Sequence, residues 1–332
     1  MRILVTGGAG FIGSHLCERL VKLGHRISVI DDLSTGSLDN LQPLYGSPEL
    51  SMITGSVLDE SIVREAMQQT DFVFHLAAAV GVRTVLQQTL RSIQTNVYGT
   101  DIVLGAAAEC GAPVLIASSS EVYGNSCNLP LREDAALSIG TSTVRRWSYA
   151  CSKALDEFIA LAYFHEKRLP VTITRLFNTI GPRQTHRFGM VVPTFIRQAL
   201  TNDPITVCGN GTQKRCFAYV HDVVEVLVRV MHTPDVAGEV INIGSDREIS
   251  ICELAHLIKD VTGSKSPIVH VPYSEAYGNG FADMYRRVPS LQKLTNLIGY
   301  HPDTPLRQVI EIVAASMRCC AAVAGLELQT TC

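Results

Sequence analysis

Tyr149 and Lys153 stand four residues apart, a spacing that places a phenol and an ammonium on one face of a helix. A phenol near its ordinary pKa of about 10 is a poor base at neutral pH. An ammonium about 4 Å away, at an effective dielectric of about 20, favours the phenolate by about 4 kcal/mol. That is roughly three pKa units, enough to bring the group near 7, where it can take a proton from a hydroxyl. Upstream, Ser118-Ser119-Ser120-Glu121 ends an apolar run. Its hydroxyls could hold the reacting hydroxyl, and Glu121 adds an acid or a base. Serines also cap strand ends without doing chemistry; the glutamate in the same turn favours a reactive site.

Removing a proton from an alcohol becomes oxidation only if a hydride acceptor lies nearby. Gly7, Gly10 and Gly13 have the spacing of a dinucleotide cradle and sit between an apolar run and a helical pattern. In that context small residues let the backbone approach a pyrophosphate, which the helix N-terminus stabilises. Asp31 follows at the end of the second apolar run, where a carboxylate accepts from an adenosine ribose and repels a 2′-phosphate. NAD is therefore expected rather than NADP. Asp32 alone reads as a solvated turn residue.

The elements that must position these groups are legible as alternation. Strands are expected at Arg2–Thr6, Ile27–Ile30, Leu50–Thr54, Phe72–His75, Pro113–Ala117 and Val171–Leu176, with helices at Phe11–Leu23, Asp59–Gln68, Ser92–Cys110 and Ser148–Glu166. Such a pattern predicts an α/β fold, a doubly wound, Rossmann-like parallel sheet with ligands at the carboxyl ends of its strands. After Asn178 the pattern changes: a Gly181-Pro182 loop leads to a helix at Val192–Leu200. The chain is then expected to rejoin the sheet through a strand at Cys216–Val220, a helix at His221–Met231 and a strand at Val240–Ile243. Residues 1–177 with about 214–244 would form the dinucleotide lobe, and about 178–213 with 245–332 a smaller α/β substrate lobe.

Composition narrows the class. The 332 residues are 46% hydrophobic and 18% charged with a net charge of −3, ordinary for a soluble enzyme and without a footprint for nucleic acid. No run approaches the roughly 18 apolar residues of a membrane span, and the early strand at Arg2 leaves no secretory signal. The ten cysteines show no CxxC spacing, so free thiols in a cytoplasmic protein are expected, with no disulfide framework and no metal site.

With these motifs in view, the chain resembles the extended short-chain dehydrogenase/reductase family, whose members act on nucleotide sugars. The resemblance covers nearly the whole chain: GGAGFIG at 7–13, IDD at 30–32, HLAA at 75–78, QTNVYGT around Asn96, SSSEVYG at 118–124, YACSK at 149–153 and RLFNTIGPRQ at 175–184. It implies a NAD site using Gly7, Gly10, Phe11, Ile12, Gly13, Asp31, Asp32, Leu76, Ala77, Ala78, Asn96, Tyr149 and Lys153. Ser119, Tyr149 and Lys153 would be catalytic, and Asn96 would support the lysine through a water. Ser56 stands where the family usually has an aspartate at the adenine, so this grip would be weaker or use the Val57 backbone.

The later segment QKRCFAYVHD at 213–222 resembles the family's nucleotide-sugar phosphate site, while AYGNGFADMYRRVPS at 276–290 and RRWSYACSK at 145–153 resemble the UDP-glucuronate decarboxylase branch. That resemblance makes Ser120 and Glu121 catalytic and assigns Arg287 to the uronate carboxylate, although Arg286 is its equal by position alone. Asn178 and Arg215 would meet the diphosphate, and Phe281 would line the sugar site. The implied reaction oxidises C4 of UDP-glucuronate and removes CO₂, giving UDP-xylose or a UDP-4-keto-pentose. A UDP-sugar 4-epimerase is the alternative enzyme, though simple 4-epimerases usually lack the glutamate and the arginine pair. A non-catalytic NAD-binding regulator is the other class; such proteins often lose the tyrosine or lysine kept here. Family members commonly dimerise through helices corresponding to 92–110 and 148–166, so a homodimer is expected.

Overall fold

Short apolar runs bounded by polar turns suit a parallel sheet, whose strands are buried on both faces. The structure, a computed structural model describing residues 1–186, 189–277 and 284–323, forms six of them into strands. These are β1 (Arg2–Thr6), β2 (Arg26–Asp31), β3 (Leu50–Thr54), β4 (Phe72–His75), β5 (Val114–Ser119) and β6 (Val171–Leu176). Val240–Ile243 is a seventh, and the order across the sheet is 240–243, β6, β5, β4, β1, β2, β3. Every pairing in it is parallel.

Side chains alternate between the two faces, as strand geometry requires. Ile3, Val5, Val29 and Phe74 join one core with Leu16 and Leu20 of α1 (Phe11–Lys22) and with Val223 and Leu227 of the 220–232 helix. Leu4, Ile30, Val73 and Ile116 join the other, beneath helices at 60–67, 89–110 and 147–167. The chain builds outward from β1 through β2 to β3, then returns to lay β4 on the other side of β1. That reversal opens a crevice beyond the carboxyl ends of β1 and β4, the place such sheets bind ligands.

A smaller core gathers Phe195, Ile196, Leu254, Ile258, Val309 and Ile310 from helices at 191–200, 251–262 and 306–323. The strand expected at Cys216–Val220 does not enter the large sheet. Lys214–Cys216 pairs antiparallel with 248–250, and Ala218–Tyr219 pairs with 179–180. A sheet covered on both faces takes apolar strands, whereas this stretch begins with Lys214 and Arg215, and Arg215 lines the cleft. Re-entry waits for the 240–243 strand. Among the described residues no helix is long and apolar enough to cross a membrane.

Candidate active site

The loop leaving β1 is shaped by what a side chain would strike. Gly7 has φ +74°, and a Cβ there would lie 2.8 Å from the Ala77 nitrogen. A Cβ on Gly13 would collide with the Gly7 carbonyl oxygen and lie 2.8 Å from Gly8 Cα. Bare backbone is thus required where β1, α1 and the turn after β4 meet. The cap of α1 is Gly10, with no side-chain cap and no acidic residue in the first turn, so its amides and dipole face the crevice uncancelled. This backbone fits the pyrophosphate of a dinucleotide.

Asp31 secures the loop. Its Oδ2 accepts from the Ala9 amide at 3.0 Å and its Oδ1 from the Leu33 amide at 2.8 Å. Burial raises its carboxyl above the ordinary range, and the two backbone bonds oppose that rise. Asp32 turns outward, accepting from the Ser34 amide at 3.0 Å and lying 3.6 Å from Arg91. Ser56 caps its own turn through Leu58 N at 3.2 Å, while Val57 is buried.

A cleft of about 990 Å³ continues from this cradle. Gly7, Gly10, Phe11, Ile12, Gly13, Asp31, Asp32, Ser56, Val57 and Leu76–Ala78 line it, as do Ser119, Ser120, Glu121, Tyr149, Asn178, Arg215 and Arg287. Asn96 and Lys153 lie behind its wall, both buried. Phe281 lies outside the described residues. Asn178 Nδ2 donates to the Cys216 carbonyl at 3.0 Å, and Arg215 Nη1 donates to the Lys214 carbonyl at 2.8 Å. Of the two adjacent arginines, Arg286 is exposed and pairs with Glu248. Arg287 is buried and faces the cleft.

Arg287 Nη1 donates to Ser120 Oγ at 3.1 Å, and its Nη2 lies 2.9 Å from Glu121 Oε1. A second buried arginine, Arg146, reaches the same carboxylate oxygen at 3.5 Å. Glu121 is therefore held between two guanidinium groups beside Tyr149. Sequence reasoning did not single out Arg146. It stands three residues before Tyr149, one turn back on the same helical path, and that spacing was the available signal.

Tyr149 is hydrogen-bonded to Ser119, whose hydroxyl also accepts from the Glu121 amide at 3.2 Å. Among the protein's own groups, burial and the Glu121 charge push the phenol above its ordinary value; Asp156 adds to the rise, while Ser119 and Arg287 oppose it. The sequence expectation of a phenol lowered toward 7 by Lys153 is thus reversed. The ammonium donates to Asp156 Oδ2 at 2.7 Å, so a facing carboxylate divides its field. Asn96 lies buried against the same helix: Oδ1 accepts from Ala79 N at 2.9 Å and Nδ2 donates to Ser152 Oγ at 3.0 Å. It ties the loop after β4 to the Tyr149 helix.

Glu157 braces the serine turn, forming a two-pronged pair with Arg175 at 3.0 and 2.8 Å and bonding Ser118. The Arg175 guanidinium lies 4.7 Å from the centre of the Tyr123 ring. Among the described residues no group of three His, Cys, Asp or Glu side chains could hold a metal ion.

Residues 3–244 match the NAD dependent epimerase/dehydratase family. A protein of Bacillus cytotoxicus (strain DSM 22905 / CIP 110041 / 391-98 / NVH 391-98), named UDP-N-acetyl-alpha-D-glucosaminuronate decarboxylase, is 43% identical over 308 residues, covering 92% of this chain and 94% of its own. The UDP-glucuronic acid decarboxylase 1 of Danio rerio is 34% identical over 307 residues, 92% of this chain and 70% of that one. The crystal structure of a UDP-glucuronic acid 4-epimerase from Bacillus cereus, in complex with UDP-glucuronic acid and NAD, superposes with a TM-score of 0.87 at 28% identity. The match covers 96% of this chain and 100% of that one.

Proposed function

The chain belongs to the NAD-dependent epimerase/dehydratase family, and within it we propose a decarboxylase of UDP-linked hexuronates, a lyase acting on UDP-glucuronate or its 2-acetamido counterpart. The observation that carries this reading is the pair of buried arginines, Arg287 and Arg146, holding the half-buried Glu121 beside Tyr149. A neutral hexose offers the two guanidinium groups only hydroxyl oxygens, whereas a C6 carboxylate accepts a stronger, two-pronged, charge-assisted contact. The named decarboxylases among its relatives support the same choice.

The dinucleotide, when bound, supplies a reversible acceptor for the hydride on sugar C4. Tyr149 takes the proton of the C4 hydroxyl, and Ser119 shares that hydrogen bond. The resulting 4-ketone is β to the C6 carboxylate. As the C5–C6 bond breaks, its electron pair passes into the enolate, with the negative charge on the C4 oxygen. Tyr149 and Ser119 stabilise that oxygen by donating to it. Arg287 orients the departing carboxylate, and Glu121 or Ser120 delivers the proton to C5. Return of the hydride to C4 and of a proton from Tyr149 to the C4 oxygen would give the UDP-pentose; release before that step would give the 4-keto sugar.

The test is to incubate the protein with NAD and UDP-glucuronate, or its 2-acetamido counterpart, and identify products by mass spectrometry. Loss of CO₂ from either substrate is expected. A C4 epimer of unchanged mass would establish the epimerase instead, and no turnover of any UDP-sugar would leave the regulator. The reading includes a cytoplasmic setting, consistent with thiols at Cys17 and Cys216. It also includes a homodimer, supported by exposed Leu90, Tyr98, Leu155 and Phe158 on adjoining helices.

A further inference from the structure

Tyr149, Lys153 and Asp156 follow one another at i, i+4 and i+7 of the 147–167 helix, so all three share a face. Asp156 has no exposed surface, and Lys153 is 2% exposed. Their 2.7 Å ion pair closes behind the wall of the cleft. The other Asp156 oxygen, Oδ1, lacks a complete hydrogen bond; the Thr100 hydroxyl beside it is shared with His75 Nε2 at 3.0 Å. His75 in turn bonds Thr6 at 2.7 Å. A buried carboxylate is costly unless a charged partner holds it, and here the partner is the residue on which the reaction's base depends.

We infer that Asp156 is a positioning residue: it fixes the Lys153 ammonium behind the cleft and limits how much of that charge reaches Tyr149. The inference rests on the decarboxylase reading for the role of Tyr149 as base. Its basis is geometric, since one carboxylate lies against the ammonium on the face the phenol shares. Of the charges around Tyr149, Glu121 and Asp156 disfavour the phenolate and Arg287 favours it, while Lys153 shares the helix face with both Tyr149 and Asp156. Arg146 neutralises part of Glu121, and Glu157 is taken up by Arg175. His75, facing Lys153, stays neutral because burial and that cation disfavour its proton. Asp156 is thus the one anion in the group whose partner is the lysine itself. A base that is not fully ionised at rest accepts and returns the same proton more evenly, which suits a reaction that must reverse its first step.

Asp156→Asn removes the charge and keeps the shape. The acid limb of kcat/KM against pH, which reports the free enzyme's base, is expected to move down by about one pH unit, the lower end of the range for a nearby charge. Asp156→Glu, which keeps the anion, should restore the original limb. Titration of phenolate absorbance, taken as the difference from Tyr149→Phe in the same background, should show the same downward shift without substrate. If Asp156→Asn does not fold, Asp156→Ser replaces it, leaving room for water beside the ammonium. A folded variant with an unmoved limb and an unmoved phenolate titration overturns the inference, whatever its turnover. If the wild type releases no CO₂ from any UDP-uronate, the decarboxylase reading fails, and the phenolate titration still decides the role of Asp156.

Discussion

At the scale of single residues, the proposed chemistry turns on Glu121 being held by two cations. Arg287 approaches it at 2.9 Å and Arg146 at 3.5 Å, so a uronate carboxylate entering the cleft competes with Glu121 for the same guanidinium groups. Displaced from them, Glu121 is the acid proposed to give a proton to C5. Arg287→Ala is therefore expected to lower kcat/KM for the uronate by a hundredfold or more, about 3 kcal/mol, as for loss of a buried charge-assisted contact. Measured release of CO₂ checks this, and undiminished release would remove Arg287 from the reaction. Glu121→Gln keeps the shape but cannot give up a proton. It should reduce kcat by about 10²–10⁴, the usual worth of a positioned acid, with a smaller effect on KM. An unaltered kcat would transfer the C5 proton to Ser120.

At the scale of elements, strand and helix positions were legible because a buried parallel sheet writes continuous apolar runs and its helices write a 3.6-residue period. The expected 171–176 and 240–243 strands match the structure residue for residue. The same spacing rule that joined Tyr149 to Lys153 also reaches Asp156 one turn on, yet a pattern cannot tell which neighbour an ammonium chooses. Arg146 was hidden for a similar reason: most arginines are solvated, and only folding reveals that this one is buried. Strand β4 makes a separate prediction. His75 at its end is buried between Thr6 and Thr100, and its pKa is lowered from 6.5 to about 3, chiefly by burial. His15 on α1 is lowered to about 4, again chiefly by burial. Both bind protons more readily when unfolded, so their contribution to stability is complete above about pH 6.5 and is lost as pH falls toward these folded values. Each adds a slope of at most about 1.4 kcal/mol per pH unit in that window. Urea unfolding at a series of pH values should show a shallower slope for His75→Gln than for the wild type. Identical slopes would mean that His75 takes up its proton without unfolding.

At the scale of the whole molecule, the helix that bears Tyr149 also forms part of the outer surface. The 147–167 helix turns Tyr149, Lys153 and Asp156 inward and leaves Leu155 and Phe158 at 44% and 66% exposure; the adjoining 89–110 helix leaves Leu90 and Tyr98 at 69% and 59%. Large apolar side chains grouped on neighbouring helices mark a contact surface rather than a solvated face. A second copy meeting this surface would bury the back of the helix that bears the base, so association would stiffen the site from behind. Phe158→Asp places a charge on that surface without touching the cleft. Sedimentation should show the 36.1 kDa chain paired in the wild type and single in the variant. Because the side chain is exposed in one copy, unfolding of the separated variant should begin from an intact fold, while kcat falls with the loss of support behind Tyr149. A wild type that sediments as a single chain at every concentration would show that this apolar face serves some purpose other than self-association.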